Sequence, residues 1–114
     1  MPTFERFDVV SVPFPYVERE ARKRRPAVIV SGSGIQERHG LAWALMVTSA
    51  ANPGWPDDIP VGDLVSADLP KPSVIRPAKV ATVEVARCEY RGRLAGETVE
   101  VLLAALRRIV SPTH

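Results

Sequence analysis

Apolar positions in this chain come in short runs cut by prolines, with one long helical stripe near the C-terminus. The runs Asp8–Val12, Ala27–Ser31, Ala42–Thr48, Asp63–Val65, Ser73–Ile75 and Val80–Val85 have strand length and are rich in β-branched residues. Ala42–Thr48 is almost continuously apolar, so its length favours a strand while periodicity alone leaves a helix open. From Gly96 to Val110 the pattern changes. Val99, Leu102, Leu103, Leu106 and Val110 recur at the three-and-four spacing of one helix face. Glu97 and Glu100 open this segment and Arg107 and Arg108 close it, which complements the helix dipole; Pro112 stops it. Turn chemistry makes Asn52–Asp58 a loop, and Pro70-Lys71-Pro72 a second break. Many short strands followed by one helix predict a mainly β fold: a small antiparallel, barrel-like sheet with a C-terminal helix packed on it.

The chain has 114 residues, the size of one domain spanning 1–114, with no repeat, linker or low-complexity tract. Its 11 prolines argue against a helical bundle. Single Cys88 excludes an internal disulfide framework and a multi-cysteine zinc site, and no cofactor motif is present. No run approaches the ~18 apolar residues of a membrane span, and nothing resembles a signal peptide, so a cytoplasmic protein without membrane contact is expected.

Formal net charge is only +2, but the positive charge is clustered. Arg19, Arg22, Lys23, Arg24 and Arg25 fall directly before the strand Ala27–Ser31, at the mouth of a sheet. Planar guanidinium groups so placed suit bidentate phosphate recognition; a solvated basic loop has the same composition.

These segments, in order, resemble the PemK/MazF-type toxins of bacterial toxin–antitoxin systems. The similarity runs through Asp8-Val9-Val10-Ser11-Val12-Pro13-Phe14-Pro15, Lys23-Arg24-Arg25-Pro26-Ala27-Val28-Ile29-Val30-Ser31 and Met46-Val47-Thr48-Ser49. It continues through Asp58-Ile59-Pro60, Leu69–Arg76, Lys79-Val80-Ala81-Thr82 and Gly92-Arg93-Leu94. The resemblance implies a small SH3-like barrel of the CcdB/MazF type, a homodimer, and a cognate antitoxin that wraps it, the complex also binding DNA. It implies a metal-independent endoribonuclease that cleaves single-stranded RNA to a 2′,3′-cyclic phosphate and a 5′-hydroxyl.

The same resemblance assigns catalysis to Arg25 and Thr48. RNA brings its own nucleophile in the 2′-hydroxyl, so the protein must mainly stabilise negative charge on the non-bridging phosphoryl oxygens. A fixed guanidinium does that, and a Thr hydroxyl adds one hydrogen bond. Thr48 is also simply a β-former at a strand end. Lys23, Arg24 and Arg76 are candidate RNA-backbone contacts; Trp55 and Tyr16, in loops, can stack on unpaired bases. Trp43 and Cys88 are expected in the core. Arginine stays protonated at ordinary pH and is a poor base. Some family members carry a carboxylate two positions after the counterpart of Arg76, where this chain has Ala78, which leaves His39 as a candidate for proton transfer. Two other readings stay open: a CcdB-like toxin that binds a topoisomerase, and a silent member that only binds antitoxin or nucleic acid.

Overall fold

The computed structural model describes residues 3–13 and 24–111. Tyr16 and Lys23 lie outside the described residues. The chain runs β1 (Asp8–Pro13), β2 (Arg24–Ile29), α1 (Ser33–His39), β3 (Leu41–Ser49), β4 (Ile59–Pro60), α2 (Leu64–Ala67), β5 (Ser73–Glu84), a single 3₁₀ turn (Val85–Arg87), β6 (Glu89–Arg93) and α3 (Gly96–Val110). One six-stranded sheet has the order β4-β5-β3-β2-β1-β6, with every neighbour antiparallel. The mainly β fold with a C-terminal helix is therefore the observed one, a curled half-barrel.

Strand alternation sorts the apolar residues into two cores. Val9, Val28, Leu45, Val47 and Ile75 point to one face, where Leu102 and Ala105 of α3 and Ala67 and Leu69 cover them. Val10, Val12, Ala27, Ile29, Ala42, Ala44 and Met46 point to the other, closed by Phe4, Val85 and Cys88. Leu102 is fully buried, which alone is worth about 1.5–3 kcal/mol. Val110, at the end of the predicted helix face, is exposed.

β5 serves both cores because its pairing with β3 is irregular. Leu45 pairs with Val80 and Val47 with Ile75, so one residue, Met46, faces four, Arg76 to Lys79. This bulge reverses the alternation along β5. Ile75 joins the α3-covered core, while Ala81 and Val83 join the other.

Several expectations need correction. The separate strands Ser73–Ile75 and Val80–Val85 are one strand; Pro77 sits in the bulge, where its missing N–H is tolerated. Asp63–Val65 is no strand. Asp63 caps α2, its carboxylate accepting from the Ser66 N–H at 3.0 Å. Ser33–His39, where no element is predicted, is the helix α1, closed by Gly40 in the left-handed conformation at φ 67°. Trp43 is not core: it lies on β3 and is 52% exposed.

Candidate active site

β2 and β3 build the site from their adjoining ends. Ala27 pairs with Met46, and continuing that register by two residues sets Arg25 opposite Thr48. The β2–β3 ladder stops at Ala27, next to Pro26, which has no N–H to offer β3. Arg25 shares its parity with Ala27, and Thr48 with Met46, so both side chains belong to the same sheet face. They line one cavity of about 210 Å³ together with Met46, Val47, Asn52, Arg76 and Lys79. A second hollow of about 430 Å³ shares Arg25, Val47, Thr48 and Asn52 and extends to Pro70, Lys71 and Arg91. The pair thus stands on the wall common to two adjoining, cation-rimmed spaces.

The bulge of β5 explains why Arg76 and Lys79, three positions apart, reach the same cavity. Arg76 is already engaged. Its Nε donates to Asp58 Oδ1 at 3.0 Å, and its Nη2 donates to Asp58 Oδ2 at 2.9 Å and to the Pro53 carbonyl at 3.1 Å. Both partners of this bidentate pair are close to buried, at 11% and 10% exposure. The Trp55 indole lies over the same guanidinium, 4.3 Å from ring centre to Cζ, and the Trp55 backbone N–H donates to Asp58 Oδ2 at 2.9 Å. The Arg76 hydrogen bonds hold the Asp58 carboxyl below its ordinary range, against an opposing effect of burial; the Trp55 N–H adds to the lowering. Arg76, Asp58 and Trp55 form a clamp that pins the loop after β3 to β5. Trp55 remains 44% exposed, so part of the indole surface still faces solvent.

Thr48 is oriented by that loop. The Asn52 side-chain amide donates from Nδ2 to Thr48 Oγ1 at 2.7 Å. Asn52 itself is fixed by a turn, its backbone N–H donating to the Ser49 carbonyl at 3.1 Å.

Two predicted site residues are not brought here. Arg24 neighbours Arg25 in an extended strand, so it points to the opposite face. There its Nε donates to Ser11 Oγ at 2.9 Å, and its Nη2 to the carbonyls of Ser11 at 2.6 Å and Arg87 at 2.7 Å. It fastens β1 and the turn before β6 and does not line either cavity. His39 ends α1, before β3 begins, whereas Thr48 is near the far end of β3; the strand between them spans on the order of 20 Å. His39 is therefore too remote to exchange a proton there. Neither cavity is lined by a carboxylate or a histidine among the described residues. Cys88 is buried, which pushes its thiol up to about 11 and makes it inert.

Sequence reasoning missed Asn52, Lys79, Lys71 and Arg91. Asn52 carried a signal, an amide four residues beyond Thr48 at the start of a turn-rich loop. Lys79 carried none, because only the bulge brings it round.

The model for the PemK-like, MazF-like toxins of type II toxin–antitoxin systems matches residues 5–110. No curated protein sequence matches. Among solved structures, a MazE–MazF complex from Deinococcus radiodurans superposes with a TM-score of 0.75 at 17% identity, covering 99% of this chain and 100% of that one. An endoribonuclease in complex with its cognate antitoxin from a Mycobacterial species gives 0.74 at 17% identity, covering 97% and 99%. The Mycobacterium tuberculosis toxin MazF-mt6 gives 0.70 at 18% identity, covering 94% and 99%. At such identities the structural likeness speaks for the fold, and the family match, spanning nearly the whole chain, agrees with it. The chain belongs to the PemK/MazF toxin family of type II toxin–antitoxin systems.

Proposed function

We propose that this protein is an endoribonuclease toxin that cleaves single-stranded RNA at the Arg25–Thr48 cavity. The observation that carries the reading is the meeting of these two side chains on one wall of a cation-rimmed cavity. The 2′-hydroxyl of the RNA attacks the adjacent phosphorus, and the 5′-oxygen leaves. The products are a 2′,3′-cyclic phosphate and a 5′-hydroxyl. The Arg25 guanidinium and the Thr48 hydroxyl stabilise the charge that grows on the non-bridging oxygens. Lys79, and Lys71 and Arg91 in the adjoining hollow, extend the positive rim along which a strand can lie. This chemistry asks for charge stabilisation that the guanidinium can supply, so activity should persist in EDTA.

The partner chemistry follows from the same surface. A cognate antitoxin should place carboxylates where RNA phosphates would otherwise lie, with Arg25 rather than Arg24 as the receiver. The solved MazE–MazF complex and the endoribonuclease bound to its cognate antitoxin support an antitoxin as the partner. A homodimer is supported by apolar side chains left in solvent on one sheet face, Trp43 and Val80, both more than half exposed, on paired strands.

The test is cleavage of a mixed-sequence RNA in excess EDTA by wild type and Arg25→Ala, with the product ends mapped. Cyclic-phosphate ends made by wild type and lost in the variant are expected. No cleavage by wild type would favour a protein-binding or silent toxin, and activity restored by one divalent ion would overturn the metal-independent step.

A further inference from the structure

We infer that Asn52 is a positioning residue that turns the Thr48 hydroxyl into a hydrogen-bond donor aimed at the scissile phosphate. The inference rests on the ribonuclease reading above. A threonine hydroxyl offers one proton and two acceptor sites, and its rotor turns freely until a partner fixes it. Here the Asn52 Nδ2 donates to Oγ1 at 2.7 Å, which occupies an acceptor site. The hydroxyl proton must then leave in another direction. Arg25, Thr48 and Asn52 line both cavities, so the directions left open include the space where a phosphoryl oxygen would meet the guanidinium.

Asn52 is well held for this task although its side chain is exposed. On one side its N–H is tied to the Ser49 carbonyl at 3.1 Å. On the other, the carbonyl of the next residue, Pro53, accepts from Arg76 Nη2 at 3.1 Å, and Asp58 anchors that arginine. The clamp thus reaches the reacting centre through one amide. A neutral amide suits the place. A carboxylate would accept the Thr48 proton instead of donating to its oxygen, and would repel the phosphate.

The experiment measures saturating turnover, KM and the affinity for a 2′-O-methyl RNA. It compares wild type, Arg25→Ala, Asn52→Ala, Asn52→Asp, Thr48→Ala and the Asn52→Ala/Thr48→Ala pair. Asn52→Ala is expected to lower kcat about tenfold with KM and the inert-RNA affinity little changed. Asn52→Asp, which is isosteric and so keeps the loop, should lose more, about a hundredfold. In the Thr48→Ala background, removing Asn52 should have no further effect, because it acts through the hydroxyl. An additive loss in the double variant, a loss confined to KM, or Asn52→Asp turning over as well as wild type would overturn the inference. These outcomes leave the ribonuclease reading standing if Arg25→Ala is still inactive. No cleavage by wild type would overturn both.

Discussion

Replacing Asp58 by Asn should be among the most damaging single-atom changes in this chain. The carboxylate accepts three hydrogen bonds, two from Arg76 and one from the Trp55 N–H. An amide retains one acceptor oxygen and turns an N–H₂ toward another donor, so at least one of the Arg76 bonds is lost in either orientation. Each bond to a charged group is worth about 1.5–3 kcal/mol, and breaking a buried ion pair from one side costs roughly 3–5 kcal/mol. The Pro53 carbonyl and the Trp55 ring stay with the guanidinium and offset part of that. The expected loss is therefore about 3 kcal/mol. At the low end of the size scaling, ~4 °C per kcal/mol, the melting temperature should fall by roughly 12 °C. Urea melts should show a lower midpoint at an unchanged slope. Because the carboxyl is held below its ordinary value of 3.8, the contribution is fully present above that pH and lost as pH falls through the lower folded value. The wild-type advantage over Asp58→Asn should then shrink only in strong acid. A fall of under about 2 °C at neutral pH would refute the argument, since it would mean the pair is screened like an ordinary surface ion pair.

Four further outcomes are expected. Arg25→Ala should lower cleavage by about 10²–10³ while leaving the melting temperature nearly unchanged, and Arg25→Lys should recover little of it, because an ammonium cannot reproduce the fork. Arg24→Ala, which loses bonds to Ser11 and Arg87, should destabilise by about 1–2 kcal/mol in urea melts yet keep single-turnover cleavage within about twofold at saturating RNA. Gly92→Ala should cost at least about 2 kcal/mol by chemical denaturation, because its Cβ would collide with the Ser66 carbonyl oxygen and lie 2.8 Å from the Ala67 carbonyl carbon. Leu102→Ala should cost about 2–5 kcal/mol by the same measurement, as α3 loses its fully buried anchor.

The parts of this fold that were legible in the sequence are those where one local signal dominates. β1, β2, β3 and α3 are strongly patterned, and each was placed within a few residues. Asp63-Leu64-Val65 misled because three residues cannot show a period; the capping chemistry of Asp63 with Ser66 was the better guide. Trp43 misled because an apolar run tells what a strand is made of and not which of its residues a neighbouring element covers. Arg25 and Thr48 came from a family resemblance. Their facing positions also follow from the pairing register, which a single sequence does not contain. Arg24 was grouped with Arg25, although strand parity, a rule available in advance, sends neighbouring side chains to opposite faces. Asn52 and Lys79 depend on a turn and a bulge, whose geometry is set by tertiary contacts.

The bulge in β5 also limits how the gene can change length. One residue of β3 faces four of β5, and this odd excess is what lets Ile75 enter one core and Ala81 and Val83 the other. Ile75 and Ala81 are six positions apart and would share a face under plain alternation, so they reach different cores only because the bulge breaks the alternation once. Deleting one codon between Arg76 and Lys79 would leave them five apart, and a plain strand would then serve both cores. The loss would fall on the site instead, because Arg76 and Lys79, three apart, enter one cavity only by way of the bulge. Length in this segment is set by the cavity more than by the cores.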